Sequence, residues 1–123
     1  MDLTLQHHGD HLFIRSVSEA CIQVVDDLYT TQIILSAREI IPDWAVKSID
    51  DFEQKHLEPV LQLNPEIVLI GTGNEQAFLP PELMMFFYQR NIGIEVMSTQ
   101  AACRTFNVLV SESRNVAAAL IPV

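Results

Sequence analysis

The chain has 123 residues, 49% of them hydrophobic and 19% charged, with 16 acidic against 7 basic side chains and a formal net charge of -9. That length suits one compact domain over residues 1–123; the apolar share rules out a disordered polymer, and no apolar run approaches the ~20 residues of a membrane-spanning helix. The acidity repels nucleic-acid phosphates, and the basic residues stand singly, with no polybasic patch for anionic lipid, so proteins and small molecules remain as partners.

The first residues, "MDLTLQHHGDHLF", lack both the charged-then-apolar plan of an export signal and the arginine-rich, acid-poor character of a transit peptide. The expectation is therefore a soluble, cytoplasmic protein. His7, His8 and His11 are a grouping that can bind transition metals, but neighbours on a strand point to opposite faces, and Gly9-Asp10 reads as a hairpin turn. No metal site is expected there. Next, "HLFIRSV", "ACIQVV" and "TTQIILSA" are short and rich in β-branched and aliphatic residues, separated by turn-prone "SE" and "DDLYT". This is the pattern of an antiparallel meander. "REIIPDW", with Pro42, is expected to leave the sheet as an irregular connection.

From Ser48 the period lengthens. "SIDDFEQKHLEPVLQLN" places Ile49, Phe52, Leu57, Val60 and Leu61 near one helical face behind a Ser48 cap and an acidic first turn, and Pro59 should kink this helix or break it in two. The acids of "IDDFE" are read as a helix start, not as a carboxylate pair for acid–base work. The rest alternates: strand 66–70, helix 80–90, strand 92–97, helix 100–112, strand 115–121. Pro80 and Pro81 open the first of these helices, Asn91 and Gly93 bracket its end, and Thr99 is the candidate cap of the second. Crossover helices make such strands parallel, and the apolar runs "IVLI" and "VAAALI" suit strands covered on both faces. The fold class expected is α/β: a three-layer domain with an antiparallel β N-terminal part and a βαβαβ C-terminal half.

The carboxyl ends of parallel strands form the edge where open α/β sheets bind ligands, and here that edge would gather Gly71, Thr72, Gly73 and Asn74 with Ser98 and Thr99. The glycines do not complete a nucleotide motif. Gln76 stands where a dinucleotide fingerprint needs Gly or Ala, Glu95 falls inside a strand, and no Gly-Lys-Ser or Gly-Lys-Thr follows. No cofactor is expected, and a tight strand-exit turn is favoured over a ligand loop. On the last helix Gln100, Arg104, Asn107 and Ser111 share one stripe opposite Ala102, Cys103, Phe106, Leu109 and Val110. Arg104 and Asn107 either reach an anion or carboxylate beside the Gly71 loop or form an ordinary solvated stripe. Cys103 lies near a helix N-terminus but on the apolar face, and is read as core. With only Cys21 as a second cysteine, both are expected to be reduced.

The ordered set "GTG" at 71–73, "GIEVMST" at 93–99, "AACRTFNVL" at 101–109 and "VAAAL" at 116–120 resembles the domain of unknown function 498 family, which includes a mitochondrial NADH:ubiquinone oxidoreductase complex assembly factor and small bacterial and archaeal relatives. The first half matches more loosely, through its strand pattern and Trp44. The resemblance implies a three-layer α/β fold whose mixed central sheet has one strand antiparallel to the others, with no established catalytic residue or cofactor. One departure stands out: the family pattern often carries Gly-Glu-Gly-Arg before "VAAAL", whereas Ser111-Glu112-Ser113-Arg114 stands here. The function implied is a non-enzymatic accessory or assembly-type protein-interaction module. The alternative is a domain, enzymatic or not, that binds a small anion or carboxylate in the crevice of Gly71, Thr72, Gly73, Asn74, Thr99, Arg104 and Asn107.

Overall fold

A computed structural model describes residues 11–18 and 20–123. His7, His8 and the anticipated turn at Gly9-Asp10 lie outside the described residues. Strands β1 (Ile14–Ser18), β2 (Cys21–Val24) and β3 (Asp27–Tyr29) form an antiparallel meander in the order β1-β2-β3, but its third strand is not the expected "TTQIILSA", whose Ile33–Leu35 pair instead in a second sheet. The segment "DDLYT" is not all turn: Val25, held at φ +54°, reverses the chain within two residues, so Val24 already pairs with Asp27 and β3 begins there.

The larger sheet has the order β5-β4-β8-β6-β7, built from β4 (Ile33–Leu35), β5 (Ile40–Ile41), β6 (Ile67–Gly71), β7 (Gly93–Met97) and β8 (Val116–Leu120). Strand β6 is parallel to both β7 and β8, whereas β4 is antiparallel to β8 and to β5. Hence β4 alone runs against the other four, as the resemblance implies. "REIIPDW" joins the sheet rather than leaving it, because Ile40 and Ile41 pair with Leu35 and Ile34 before Pro42 ends the ladder.

Side-chain alternation then dictates the layers. Val68, Ile70, Ala117, Ala119 and Ile34 face a cluster containing Trp44, Leu57, Leu83 and Phe87. Leu69, Val116, Ala118, Leu120, Ile33 and Leu35 face the opposite way, onto Ala102, Cys103 and Phe106 and onto Ile14, Ile22 and Val24 of the meander. Every residue of β8 is buried, which is the burial its continuous apolar run requires.

Among the described residues three α-helices cover the faces: α1 (Glu58–Leu61), α2 (Pro81–Tyr88) and α3 (Thr99–Ser111). The long helix expected from Ser48 is replaced by 3-10 turns at Ile49–Asp51 and Gln54–Leu57, followed by α1. Phe52 and Glu53 between the two turns are extended, which sets the Phe52 ring edge-on against Trp44 with centroids 5.3 Å apart. Trp44 also donates from Nε1 to the His56 carbonyl at 2.9 Å. Tertiary packing of these aromatics thus overrides the helical period. The Ser48 side chain caps no backbone amide, and Pro59 sits in the first turn of α1, where its missing N–H costs nothing. Helix α3 is capped by Ser98, whose Oγ accepts from the Ala101 amide at 3.4 Å; Thr99, the expected cap, is a buried first-turn residue.

Candidate functional site

The residues anticipated at the sheet edge fall into two groups. The first is the exit of β6. A Cβ on Gly71 would lie 2.9 Å from both Leu120 Cδ2 and Thr99 Oγ1 and 3.0 Å from Thr99 Cα, so only glycine lets the strand and the start of α3 approach this closely. Gly73 turns the chain at φ +104°; its amide donates to Thr99 Oγ1 at 2.9 Å and its carbonyl accepts from the Thr99 amide at 2.9 Å. The Thr99 hydroxyl in turn donates to the Ile121 carbonyl at 2.5 Å. The Thr72 amide donates to the Met97 carbonyl, and the Thr72 hydroxyl accepts from the Ala77 amide. The amides that would cradle an anion are therefore directed inward, onto Thr99 and Met97, and Asn74 stands exposed beyond them.

The second group lies on the polar stripe of α3. Asn107 places its amide against one residue of β1: Nδ2 donates to the Ile14 carbonyl at 2.8 Å, and Oδ1 accepts from the Ile14 amide at 2.8 Å. A side chain 93 residues away thus supplies both bonds that a neighbouring strand would give. Beside this strut opens a cavity of about 370 Å³ lined by Arg15, Ser16, Gln100, Cys103, Arg104 and Asn107, with Ile14 and Val17 as its aliphatic part. None of Gly71, Thr72, Gly73, Asn74 and Thr99 lines it. The structure therefore keeps Arg104 with Asn107, and adds Arg15 and Ser16. Neither was singled out in the sequence, since chain order gives no sign that β1 packs on α3.

Burial pushes the Cys103 thiol up to about 12, partly offset by the neighbouring Arg104 charge. It is protonated at neutral pH, which removes the thiolate a nucleophile needs. Among the described residues no group of three or more His, Cys, Asp or Glu side chains is placed to hold a metal ion. A second cavity, about 400 Å³, lies at the far end of α3 among His11, Arg38, Ser111, Ser113 and Arg114, where Arg114 pairs with Glu66 at 2.6 Å.

The family profile described as protein of unknown function, DUF498/DUF598, matches residues 14–121. The chain belongs to this family. Among its DUF498 relatives, the "13 kDa major membrane protein" of Francisella tularensis is 35% identical over 94 residues, 76% of each chain. The NADH dehydrogenase (ubiquinone) 1 alpha subcomplex assembly factor 3 of Xenopus tropicalis is 43% identical over 84 residues, which are 67% of this chain and 46% of that protein, so the match spans just under half of the assembly factor. A crystal structure from Bordetella parapertussis superposes with a TM-score of 0.86 at 31% identity, covering 92% of this chain and 97% of that one. The set "GTG", "GIEVMST", "AACRTFNVL" and "VAAAL" lies wholly within the matched span. For this DUF498 chain, no helix among the described residues is long and apolar enough to cross a membrane.

Proposed function

We propose that this chain is a non-enzymatic accessory module that binds another protein during assembly of a membrane-associated complex, acting from the bacterial cytoplasm. The observation that carries this reading is apolar surface left in water where no fold contact needs it. Phe78 is 84% exposed, and Met85 and Tyr88 on the outer side of α2 are about half exposed, while Leu83, Phe86 and Phe87 of the same helix supply the core contacts. Exposed aromatic and methionine side chains are the residue types enriched at the centres of protein interfaces. The names of two relatives, one a major membrane protein and one an assembly factor for a subcomplex of NADH dehydrogenase (ubiquinone), support the same kind of partner.

Affinity capture from the native host, with the wild-type chain beside a Phe78→Ser/Met85→Ser variant, tests the reading. The expected result is a reproducible partner in the membrane fraction that the variant loses. Recovery of no partner from either fraction overturns the function, and equal recovery by the variant moves the contact away from α2.

A further inference from the structure

The cavity between β1 and α3 concentrates positive charge on a chain that carries little of it. Two of its seven basic residues, Arg15 and Arg104, line this one space in a molecule of net charge -9. Arg104 is exposed and, among the described residues, forms no ion pair. Arg15 is held in place by its Nε donating to the Val25 carbonyl at 2.9 Å and by its guanidinium lying 5.3 Å over the Phe13 ring. Its only carboxylate neighbour among the described residues, Asp26, is 3.8 Å away with an 86% exposed side chain, a pairing too solvated to quench the charge. Among the described residues no carboxylate lines the cavity, and the other polar side chains there are the Gln100 amide, the Ser16 hydroxyl and the Asn107 amide already committed to Ile14.

We propose that this cavity binds a small organic monocarboxylate, with Arg15 and Arg104 holding the carboxylate, Gln100 and Ser16 beside it, and Ile14 and Val17 against a short apolar tail. Guanidinium groups suit the planar, two-oxygen geometry of a carboxylate, and the aliphatic wall distinguishes such an acid from inorganic phosphate. The volume lies at the lower end of the roughly 300–1,000 Å³ typical of small-molecule pockets. Asn107 acts as the positioning residue: by fixing Ile14 to α3 it sets the spacing of the two walls. The protonated Cys103 thiol adds no opposing charge to the floor.

Butyrate and inorganic phosphate serve as probes, with melting temperature and backbone-amide NMR shifts as readouts. Butyrate should stabilise the protein saturably and move amides confined to residues 14–17 and 100–107. Arg15→Gln and Arg104→Gln should each weaken binding at least about tenfold, as loss of one charge-assisted hydrogen bond implies, and the double variant should abolish it. Arg38→Gln, outside the cavity, should bind like wild type and controls for general charge loss. A folded double variant that responds as wild type does, an unsaturable butyrate response, or phosphate binding as tightly as butyrate overturns the proposal.

Discussion

Thr99 illustrates how a polar residue at a promising position becomes structural. Its hydroxyl is fully buried, accepts from the Gly73 amide and donates to the Ile121 carbonyl, tying the exits of β6 and β8 to the first turn of α3. Thr99→Val keeps the shape but strands a buried amide and a buried carbonyl, so it should cost about 2–4 kcal/mol in denaturant unfolding. Loss of the exposed-side Ser98 cap through Ser98→Ala should cost only about 1 kcal/mol. Equal effects of the two would refute the buried role. Cys103 makes a prediction in pH. Because burial raises its pKa from the ordinary 9.0 to about 12, the folded protein keeps a proton that the unfolded chain releases. Its contribution is therefore complete below about pH 9 and is lost as the pH rises from about 9 towards 12. The stability difference between wild type and Cys103→Ala, followed from pH 8 to 10.5, should shrink with rising pH; a constant difference would contradict it.

Among the elements, the end of α3 carries a residue poorly suited to its backbone. Ser113 is held at φ +63°, its amide donating to the Val110 carbonyl and the Arg114 amide to the Leu109 carbonyl, both at 2.9 Å. This is the paired bonding of a helix end that favours glycine. Ser113→Gly should raise stability by about 1 kcal/mol, read as a higher denaturant midpoint at unchanged slope. The same left-handed geometry at Asn91, φ +59°, ends α2 with a residue that tolerates it, so this boundary was legible from the residue type alone. The start of α3 was not: Ser98 and Thr99 are both plausible caps, and only the burial of Thr99 against Ile121 separates them. Between residues 48 and 61 the apolar spacing suggested one helix, yet the Phe52 contact with Trp44 extends the chain there and leaves two turns and α1.

At the scale of the molecule, the meander and α3 are joined through Asn107 and the cluster of Ile14, Ile22 and Val24 with Cys103 and Phe106. Asn107→Ala would leave both Ile14 backbone groups without their partner and free β1 from the helix. We expect a loss of about 2–3 kcal/mol, with amide exchange accelerating in β1 and β2 while β6 and β8, buried between two layers, keep their protection. Uniform acceleration across both sheets would argue that the meander is not a separable cooperative unit. The candidate site follows the same division. Gly71, Thr72, Gly73 and Thr99 were recognisable as a group because the βαβ rhythm puts them at one edge, whereas Arg15 and Ser16 could not be joined to Arg104 without knowing that β1 lies against α3.

The strand–helix alternation of the C-terminal half, the first two strands of the meander and the family can be read from the residues in order, because each rests on local period, turn chemistry or short ordered motifs. Only the assembled fold decides that the strand running against the others is β4, inserted beside β8, that the Gly73 amide and Thr99 hydroxyl are spent on each other, and that Arg15 and Arg104 line one cavity. Each of these depends on pairing between distant segments, and the energies that select it, burial of both sheet faces and satisfaction of buried amides, exist only once the layers are assembled.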